Sequence, residues 1–371
     1  MINVFGSYTG QEEIDELSSS MNSQWMGIGP KVEKFEKLMA DKTGLDFVAV
    51  DNCSNALYMA CEILNLKRGS EVIVPAITWI SCANAVLKAG CRPVFADCDY
   101  NTINVTDETL DAVTTRLTRA KMVVHYAGYP ADITNTNVPV IGDCAHAADT
   151  YMALGGVGKK YHIANYSDIA VFSFNEVKNI ATPGMGGVAA LNTDYSQKAK
   201  AMRYCGILKS GFQAASDRKR WWEYEIKAPF IKMLPNDICA SIAIAQFKKL
   251  ETMQQIRKAI YSTYQAGFKD EEWFLTPPEI PDYIQHGYFT YYLRILNGKR
   301  DELAYYLKEK GIYTTVRYQP LHLIKTYGSK QKLPVSELLN EQLINLPLHP
   351  GLSANDVCKV IGAVKDFGNK N

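Results

Sequence analysis

The segment DIAVFSFNEVKNIATPGMGGVAALN (168–192) contains the features that decide the fold. Its apolar run over 168–174 predicts a buried strand. A short polar loop follows, and it carries Lys178 ahead of a glycine-rich turn into a second apolar run over 187–192. Ligand sites in open α/β sheets lie at the carboxyl ends of the strands. We therefore expect the Lys178 loop to face a ligand site at one edge of a sheet.

Further apolar runs on the N-terminal side resemble the first one, and segments with helical spacing separate several of them. They cover 46–50, 71–75, 92–97, 121–126 and 138–143. Strands that are apolar throughout and alternate with helices are typical of a mostly parallel sheet covered on both faces. We therefore predict an α/β fold, with a large domain over 1–275 and a central sheet flanked by helices.

The C-terminal part of the sequence predicts a second, smaller unit. A cap at Asn236 and Asp237 begins a long helical pattern that continues to about residue 268. Three prolines in 276–283 then stop the helix and mark a linker. Beyond it we predict a small α+β domain over 276–371. Its elements are a strand over 287–296, a helix over 300–310, a strand over 312–318 and a closing helix after Ser353.

Composition excludes several classes of protein. The 371 residues include 40 Lys and Arg and 39 Asp and Glu, and the net charge of +1 argues against nucleic acid as a partner. The nine cysteines form no CxxC pair, so neither a zinc site nor a disulfide framework is expected. No metal site is predicted. No membrane partner is predicted either, because no apolar run is long enough to span a bilayer. We expect a protein of the reducing cytoplasm.

Two positions after buried strands could carry acid–base or covalent chemistry. Burial and neighbouring positive charge would lower the pKa of Lys178, as a Schiff-base lysine requires; the alternative is a surface lysine. Asp143 ends the run over 138–143, where it could pair with the protonated ring nitrogen of pyridoxal phosphate or merely cap a helix. His146 could contact the same ring or be a core histidine.

Two further positions follow other strands. Ser54 and Asn55 lie in the first turn of a predicted helix, whose free N–H groups could hold a phosphate. Trp79 could stack on a flat ring or pack beneath a loop. Each of these positions follows a strand end. Together they would supply a phosphate site, a stacking ring, a partner for a ring nitrogen and an imine-forming lysine, which is the set that pyridoxal phosphate needs.

The sequence resembles the sugar aminotransferases of the DegT/DnrJ type, which are fold-type-I pyridoxal-phosphate enzymes acting on nucleotide-linked keto-sugars. The similarity extends over nearly the whole chain. The segments that carry it are SQWMGIGPKVEKFEKLMADKTG (23–44), EVIVPAITWISCANAVLKAGCRPVFADCD (71–99), VVHYAGYPADI (123–133), GDCAHA (142–147), FSFNEVKN (172–179), NDICASIAIAQFKKLE (236–251), TTVRYQPLH (314–322) and LINLPLHPGLS (343–353).

The resemblance implies a role for each matching residue. Lys178 would bond covalently to the cofactor, and Asp143 would bind its ring nitrogen. The other cofactor-binding residues implied are Trp79 stacking on the ring, His146 beside it, Ser54, Asn55 and Ser173 at the phosphate, and Lys232 reaching the phosphate of a neighbouring subunit. The implied substrate-binding residues are Trp25, Gly27, Gly29, Arg317, Tyr318 and His322. A homodimer with shared active sites is implied, with the aromatic segment 221–230 as a candidate interface or sugar lid.

The implied activity is transfer of an amino group from an amino acid, L-glutamate, to a keto group of a nucleotide-linked deoxy sugar. Lys178 favours transamination, because related sugar dehydratases have histidine there. The products would serve lipopolysaccharide, capsule or other amino-sugar biosynthesis. Departures at Asn175 and Met185 leave a non-catalytic, cofactor-binding regulatory protein as an alternative. A cyclitol or free sugar acid as acceptor also stays open, as does 3-keto against 4-keto chemistry.

Overall fold

A computed structural model describes residues 1–134, 137–207, 222, 225, 226 and 228–370. In the segment 221–230, predicted as an interface or lid, residues 221, 223, 224 and 227 therefore lie outside the described residues. The strands are β1 (Asp46–Val50), β2 (Glu71–Pro75), β3 (Arg92–Ala96), β4 (Thr118–Val124), β5 (Val140–Asp143), β6 (Tyr151–Met152), β7 (Tyr161–His162), β8 (Ile169–Ser173), β9 (Gly186–Ala190), β10 (Phe274–Leu275), β11 (Ile284–Gln285), β12 (Tyr291–Ile295) and β13 (Leu343–Leu346).

The central sheet has seven strands in the order β1-β9-β8-β5-β4-β2-β3. β9 runs antiparallel to both of its neighbours, β1 and β8, whereas the other pairings in the described sheet are parallel. The prediction of a mostly parallel sheet is confirmed. Parallel strands place their carboxyl ends at one edge, so the residues that follow β2, β4, β5 and β8 converge there.

Helices cover both faces of this sheet, which explains why its strands are apolar throughout. The helices are α1 (Gln11–Asn22), α2 (Pro30–Thr43), α3 (Cys53–Ile63), α4 (Ser81–Lys88), α5 (Asp107–Asp111), α6 (Thr193–Met202), α7 (Asp237–Gly267), α8 (Arg300–Glu309), α9 (Pro334–Gln342) and α10 (Ala354–Lys370). α3, α4 and α6 pack on one face. α2 and α7 pack on the other. The predicted α/β fold flanked by helices is therefore observed.

The start of α7 also fixes the start of α2. Asn236 caps α7 by accepting a hydrogen bond from the Cys239 N–H at 2.8 Å, as the sequence predicted. The Asp237 carboxylate accepts from the backbone N–H groups of Lys31 and Val32 at 3.2 and 3.0 Å. These are donors that the first turn of a helix leaves unpaired. A residue far along the chain thus orients the N-terminal segment against the large domain.

The C-terminal unit differs from the prediction at residues 312–318, which form no strand. The small sheet is instead β10-β12-β13, and 312–318 makes only isolated bridges at Ile312 and Thr315. The ladder stops because the Arg317 N–H donates to the side chain of Asn345, at 2.9 Å, instead of to a strand. The helix predicted over 300–310 and the closing helix after Ser353 are present as α8 and α10.

The predicted domain boundary after residue 275 stays a prediction. β10 pairs with β12 of the small sheet although it precedes that boundary. β11, which follows it, pairs with β6 on the large-domain side. The end of α7 joins the hydrophobic core of the small unit. The linker at 276–283 therefore connects two strands that belong to different sheets.

The described part of the chain bears on disulfides, metal clusters and membrane-spanning helices. All nine cysteines are free. Within the described ranges, no cluster of His, Cys, Asp and Glu has the geometry to hold a metal ion, and no helix combines the length and apolarity needed to cross a membrane.

Candidate active site

A cavity of about 510 Å³ lies at the carboxyl ends of the central strands. Its wall combines the loops after β2, β5 and β8, the first turn of α3 and the segment 315–318. Eight of the residues selected from the sequence line it: Ser54, Trp79, Asp143, His146, Ser173, Lys178, Arg317 and Tyr318. Segments distant in sequence thus meet at one site, as the strand-end pattern predicts.

Lys178 reaches the cavity from the loop after β8. Its Nζ lies 4.6 Å from the centroid of the Phe289 ring. Burial, together with the positive charge of Arg317, lowers the pKa of Lys178 to about 8, although the Asp143 carboxylate opposes both effects. An amine with this pKa has an appreciable neutral fraction near neutral pH. The side chain therefore has the electronic state that covalent chemistry with a carbonyl requires.

Asp143 ends β5 and is buried, with 5% of its surface exposed. Its Oδ1 accepts a hydrogen bond from the Ala145 N–H at 2.9 Å, whereas Oδ2 receives only the weak thiol donor of Cys82 at 3.4 Å. Burial raises the pKa of Asp143. The residues after it form turns and not a helix, so the alternative role as a helix cap is not what the structure shows. The carboxylate has room for a charged N–H partner on the cavity side.

His146 is buried against the same aromatic side chain that supports Lys178. Its ring stacks on Phe289 with centroids 3.9 Å apart and an interplanar angle of 13°. Its Nε2 lies 3.1 Å from the Tyr318 hydroxyl, which in turn accepts from Arg317 Nη1 at 3.3 Å. Burial, Lys178 and Arg317 all lower the pKa of His146. The histidine is therefore neutral, and its Nδ1 has no partner within the described chain.

The Tyr318 hydroxyl can either donate to His146 Nε2 or accept from it, so this contact is compatible with both tautomers of the neutral imidazole. In both tautomers Nδ1 is a buried polar atom with no partner within the described chain. A buried polar atom without a partner costs free energy unless a ligand pairs with it. His146 thus differs from a core histidine satisfied by the backbone, which was the alternative to a role at the site.

The first turn of α3 forms another part of the wall, but its two predicted residues differ. Ser54 lines the cavity, and its Oγ lies 2.7 Å from Ser81 Oγ. The Asn55 N–H donates to Asn52 Oδ1 at 2.8 Å, and its amide nitrogen donates to both Asp51 oxygens at 2.9 Å. All donors of Asn55 are therefore engaged within the protein. The helix N-terminus offers a ligand Ser54 and the cap residue Asn52 instead.

The remaining residues selected for the cofactor have contrasting surroundings. Trp79 is 54% exposed, and its ring centroid lies 5.7 Å from that of Tyr318; its indole faces a cavity and is not packed beneath a loop. Ser173 is buried at the end of β8 and lines the cavity. Lys232 is exposed and pairs through its backbone with Tyr204, away from the cavity.

Four of the predicted substrate residues do not line the cavity of this chain. Trp25, Gly27 and Gly29 surround the start of α2, where the Trp25 Nε1–H donates to the Ile28 carbonyl at 3.0 Å. A Cβ at Gly29 would lie 2.6 Å from Trp25 Nε1 and 2.9 Å from an Asp237 oxygen. Gly29 is therefore required for close packing. His322 is buried, and its Nε2 lies 3.3 Å from a Glu337 oxygen.

Sequence reasoning missed three residues that line or support the site. Phe289 was assigned to a continuous strand over 287–296, but β12 begins only at Tyr291. The positive φ of Tyr288 interrupts the extended backbone immediately before Phe289. Asn52 was passed over in favour of its neighbours, although an Asn before an apolar helix is an N-cap signal. Phe5, in the N-terminal segment, lines the cavity with no recognisable local signal.

The comparisons with known proteins agree with this geometry. The model of the DegT/DnrJ/EryC1/StrS aminotransferase family matches residues 7–365. The chain belongs to this family. A dTDP-4-dehydro-2,3,6-trideoxy-D-glucose 4-aminotransferase from Saccharopolyspora spinosa is 30% identical over 370 residues, which cover 96% of this chain and 94% of the relative.

Solved structures give the same result for the fold. The aminotransferase TlmJ from Streptoalloteichus hindustanus matches with a TM-score of 0.91 and 31% identity, covering 100% of this chain and 99% of that one. The PLP-form of the putative sugar aminotransferase Spr1654 from Streptococcus pneumoniae matches with a TM-score of 0.89 and 23% identity, covering 99% and 98%. The protein is thus a sugar aminotransferase with a fold of the pyridoxal-phosphate type, and pyridoxal phosphate is its expected cofactor.

The cavity residues fit that cofactor. The buried Asp143 carboxylate has one oxygen with only a weak thiol donor, which suits a protonated ring nitrogen. Lys178 supplies an amine with a lowered pKa, and His146 Nδ1 is a buried nitrogen, without a partner in the described chain, that could pair with a ring substituent. Ser54 and Ser173 lie at a helix N-terminus and a strand end, where a phosphate can be held by backbone and hydroxyl donors.

Proposed function

We propose that the protein transfers an amino group from L-glutamate to the keto group of a nucleotide-linked deoxy sugar. The observation that carries the proposal is the shared cavity of Lys178, with its pKa of about 8, and the buried Asp143 carboxylate. These two groups supply an imine-forming amine and an anion for a cofactor ring.

The chain's own residues divide the work of proton transfer and charge stabilisation. When bound, pyridoxal phosphate supplies an electron sink that lets the carbon bearing the amino group lose a proton. Lys178 Nζ, with its lowered pKa, accepts that proton and returns it to a neighbouring atom. Asp143 holds positive charge on a nearby N–H, because a buried carboxylate favours a charged partner. His146 orients a ring substituent through Nδ1, and Tyr318 contacts its Nε2.

The acceptor proposed here is a 4-keto sugar attached to a nucleoside diphosphate. The 30% identical relative acts, by its name, on a dTDP-linked 4-dehydro sugar, which supports this choice over a 3-keto sugar, a cyclitol or a free sugar acid. The products would enter lipopolysaccharide, capsule or other glycan synthesis in the cytoplasm, a compartment that suits nine free cysteines.

We also propose a homodimer in which each active site is completed by the partner subunit. Trp25 and Gly27 are exposed and do not line the cavity of their own chain, and Lys232 is exposed on another segment. A two-fold interface would allow these residues to serve the second copy's site, with Lys232 at the cofactor phosphate. This arrangement would account for predicted site residues that do not line the cavity within one subunit.

Borohydride reduction of the holoenzyme, followed by proteolysis and peptide mass analysis, tests the assignment of Lys178. We expect the phosphopyridoxyl label on Lys178, none in Lys178→Ala, and unchanged labelling in Lys248→Ala, which removes an exposed lysine. A label on another lysine would contradict the assignment. The acceptor is tested separately by incubation with L-glutamate and 3-keto or 4-keto nucleotide sugars, with the product identified by NMR. Amination of neither sugar class would overturn the proposed acceptor.

A further inference from the structure

Arg317 is a nearly buried cation in the cavity, and it has no acidic partner among the described residues. Only 9% of its surface is exposed. The ion pairs of the described residues do not include it, and its Nη1 donates only to the neutral Tyr318 hydroxyl at 3.3 Å. Burying an unpaired charge is unfavourable unless a counter-ion arrives. The unmet charge of Arg317 therefore indicates an anionic ligand.

Aromatic rings hold this guanidinium in place, and one edge of it has no hydrogen-bond partner in the described chain. Its Cζ lies 5.0 Å from the ring centroid of Phe289 and 5.4 Å from that of Phe5. The Arg317 backbone N–H donates to the Asn345 side chain, and the Arg317 backbone carbonyl accepts from the Tyr126 hydroxyl. The buried Nε has no partner within the described chain. The Nε–Nη2 edge is thus available for the two parallel hydrogen bonds by which arginine binds a carboxylate.

The depth of Arg317 distinguishes between two anions that could bind it. Lys178 Nζ and Arg317 Cζ both lie within 5.0 Å of the same Phe289 centroid, and Tyr318 links Arg317 to His146. Arg317 therefore belongs to the inner wall, beside the reacting amine. An α-carboxylate is attached directly to the carbon that carries the donor's amino group. The diphosphate of a nucleotide sugar is separated from a 4-keto carbon by several bonds of the sugar ring.

We infer that Arg317 binds the α-carboxylate of the amino donor, and not the diphosphate of the sugar. This inference rests on the proposed function and gives a reason why an α-amino acid, and not a simple amine, supplies nitrogen. In the second half of the cycle the same open edge would be vacated for the uncharged sugar ring. Arg317 is thus a residue that determines donor specificity.

Binding and kinetic measurements on the holoenzyme test this assignment. The probes are α-methyl-L-glutamate, which has no α-proton to lose, dTDP as a diphosphate, and 4-aminobutyrate, which is glutamate without its α-carboxylate. In Arg317→Gln we expect the Kd of α-methyl-L-glutamate to rise about 100-fold, because one member of a buried charge pair is removed. The Kd of dTDP should change less than about threefold, because in this inference Arg317 does not contact the diphosphate.

The rate of the first half-reaction gives an independent readout. Arg317→Gln should lose most of its preference for L-glutamate over 4-aminobutyrate, since both probes exchange with the same lysine. Arg317→Lys, which keeps the charge but not the planar edge, should lie between wild type and Arg317→Gln. Arg119→Gln, at an exposed arginine that bonds only to neighbouring carbonyls, is the control and should match wild type.

Two results would overturn the inference. One is weaker dTDP binding in Arg317→Gln with the Kd of α-methyl-L-glutamate unchanged, which would assign Arg317 to the diphosphate. The other is an unchanged donor preference in both Arg317 variants. Failure of the proposed function is distinguishable, because the wild-type holoenzyme would then react with no amino donor at all.

Discussion

The ring of Phe289 offers a direct test of how the cavity controls the protonation of Lys178. Lys178 Nζ lies 4.6 Å from its centroid, within the range of a cation–π contact, and such a contact contributes about 1–2 kcal/mol at a desolvated site. The interaction stabilises the protonated amine. Because about 1.4 kcal/mol corresponds to one pKa unit, Phe289→Leu should lower the pKa of Lys178 by about one unit from its value of about 8.

The assay is the pH dependence of acetylation at Lys178 in cofactor-free protein, quantified by peptide mass analysis. At pH 7, a fall in the pKa from about 8 to about 7 increases the neutral fraction, and hence the acetylation rate, about fivefold. Phe289→Tyr keeps an aromatic face and should resemble wild type. An exposed lysine such as Lys248 provides an internal standard in each digest.

The opposite shift would refute the reasoning. Leucine is smaller than phenylalanine, so water could enter and relieve the burial that lowers the pKa of Lys178. If hydration dominated, the pKa would rise in Phe289→Leu and the acetylation rate at pH 7 would fall. Equal shifts in Phe289→Leu and Phe289→Tyr would also exclude the aromatic face as the cause.

Two further predictions concern stability. A Cβ at Gly186 would lie 2.5 Å from the backbone of Asn52 and Cys53, so Gly186→Ala should lower the free energy of unfolding by about 1–3 kcal/mol in urea titrations. The control is Gly362→Ala, in a helix with open space around the glycine, which should leave the free energy of unfolding unchanged or raise it. Equal losses of stability in the two variants would contradict the prediction. Burial lowers the pKa values of three histidines to about 3, and these are His125, His162 and His286. Since the unfolded chain then binds more protons below pH 6.5, stability should fall as pH decreases from 6.5 towards 3, by about 1.4 kcal/mol per unit for each histidine; urea titrations at pH 7, 6 and 5 that show constant stability would exclude this.

The central part of the site could be predicted from the sequence because strand ends determine it. Lys178, Asp143 and Ser173 each follow or end an apolar run, and parallel strands bring such positions to one edge whatever the loop details are. Strand order was not needed for this inference. The ends of the apolar runs identified Lys178 and Asp143, whereas Ser173, Arg317 and Tyr318 were implied only by the resemblance to the sugar aminotransferases.

Residues placed by local changes of backbone direction could not be found in the same way. Phe289 lies inside an apolar run that is typical of a strand, and the break before it comes from a positive φ at Tyr288, which a tyrosine does not signal. The segment 312–318 also has strand composition, yet the side chain of Asn345 takes the Arg317 N–H. Both misassignments arise from contacts between distant segments, which override the local pattern.

The charges that line the cavity show how a chain with a net charge of +1 would bind the anions that we propose as its cofactor and substrates. Lys178 and Arg317 are the two lysine or arginine residues in the described wall, and Asp143 and Glu176 are its acidic ones. Once the cofactor engages Lys178 and Asp143, Arg317 is the cation that remains for an arriving substrate. Its effect on Lys178 adds a second consequence: a donor carboxylate that neutralises Arg317 would remove a cause of the lowered pKa of Lys178. Donor binding would then strengthen Lys178 as a proton acceptor at the step in which it is required.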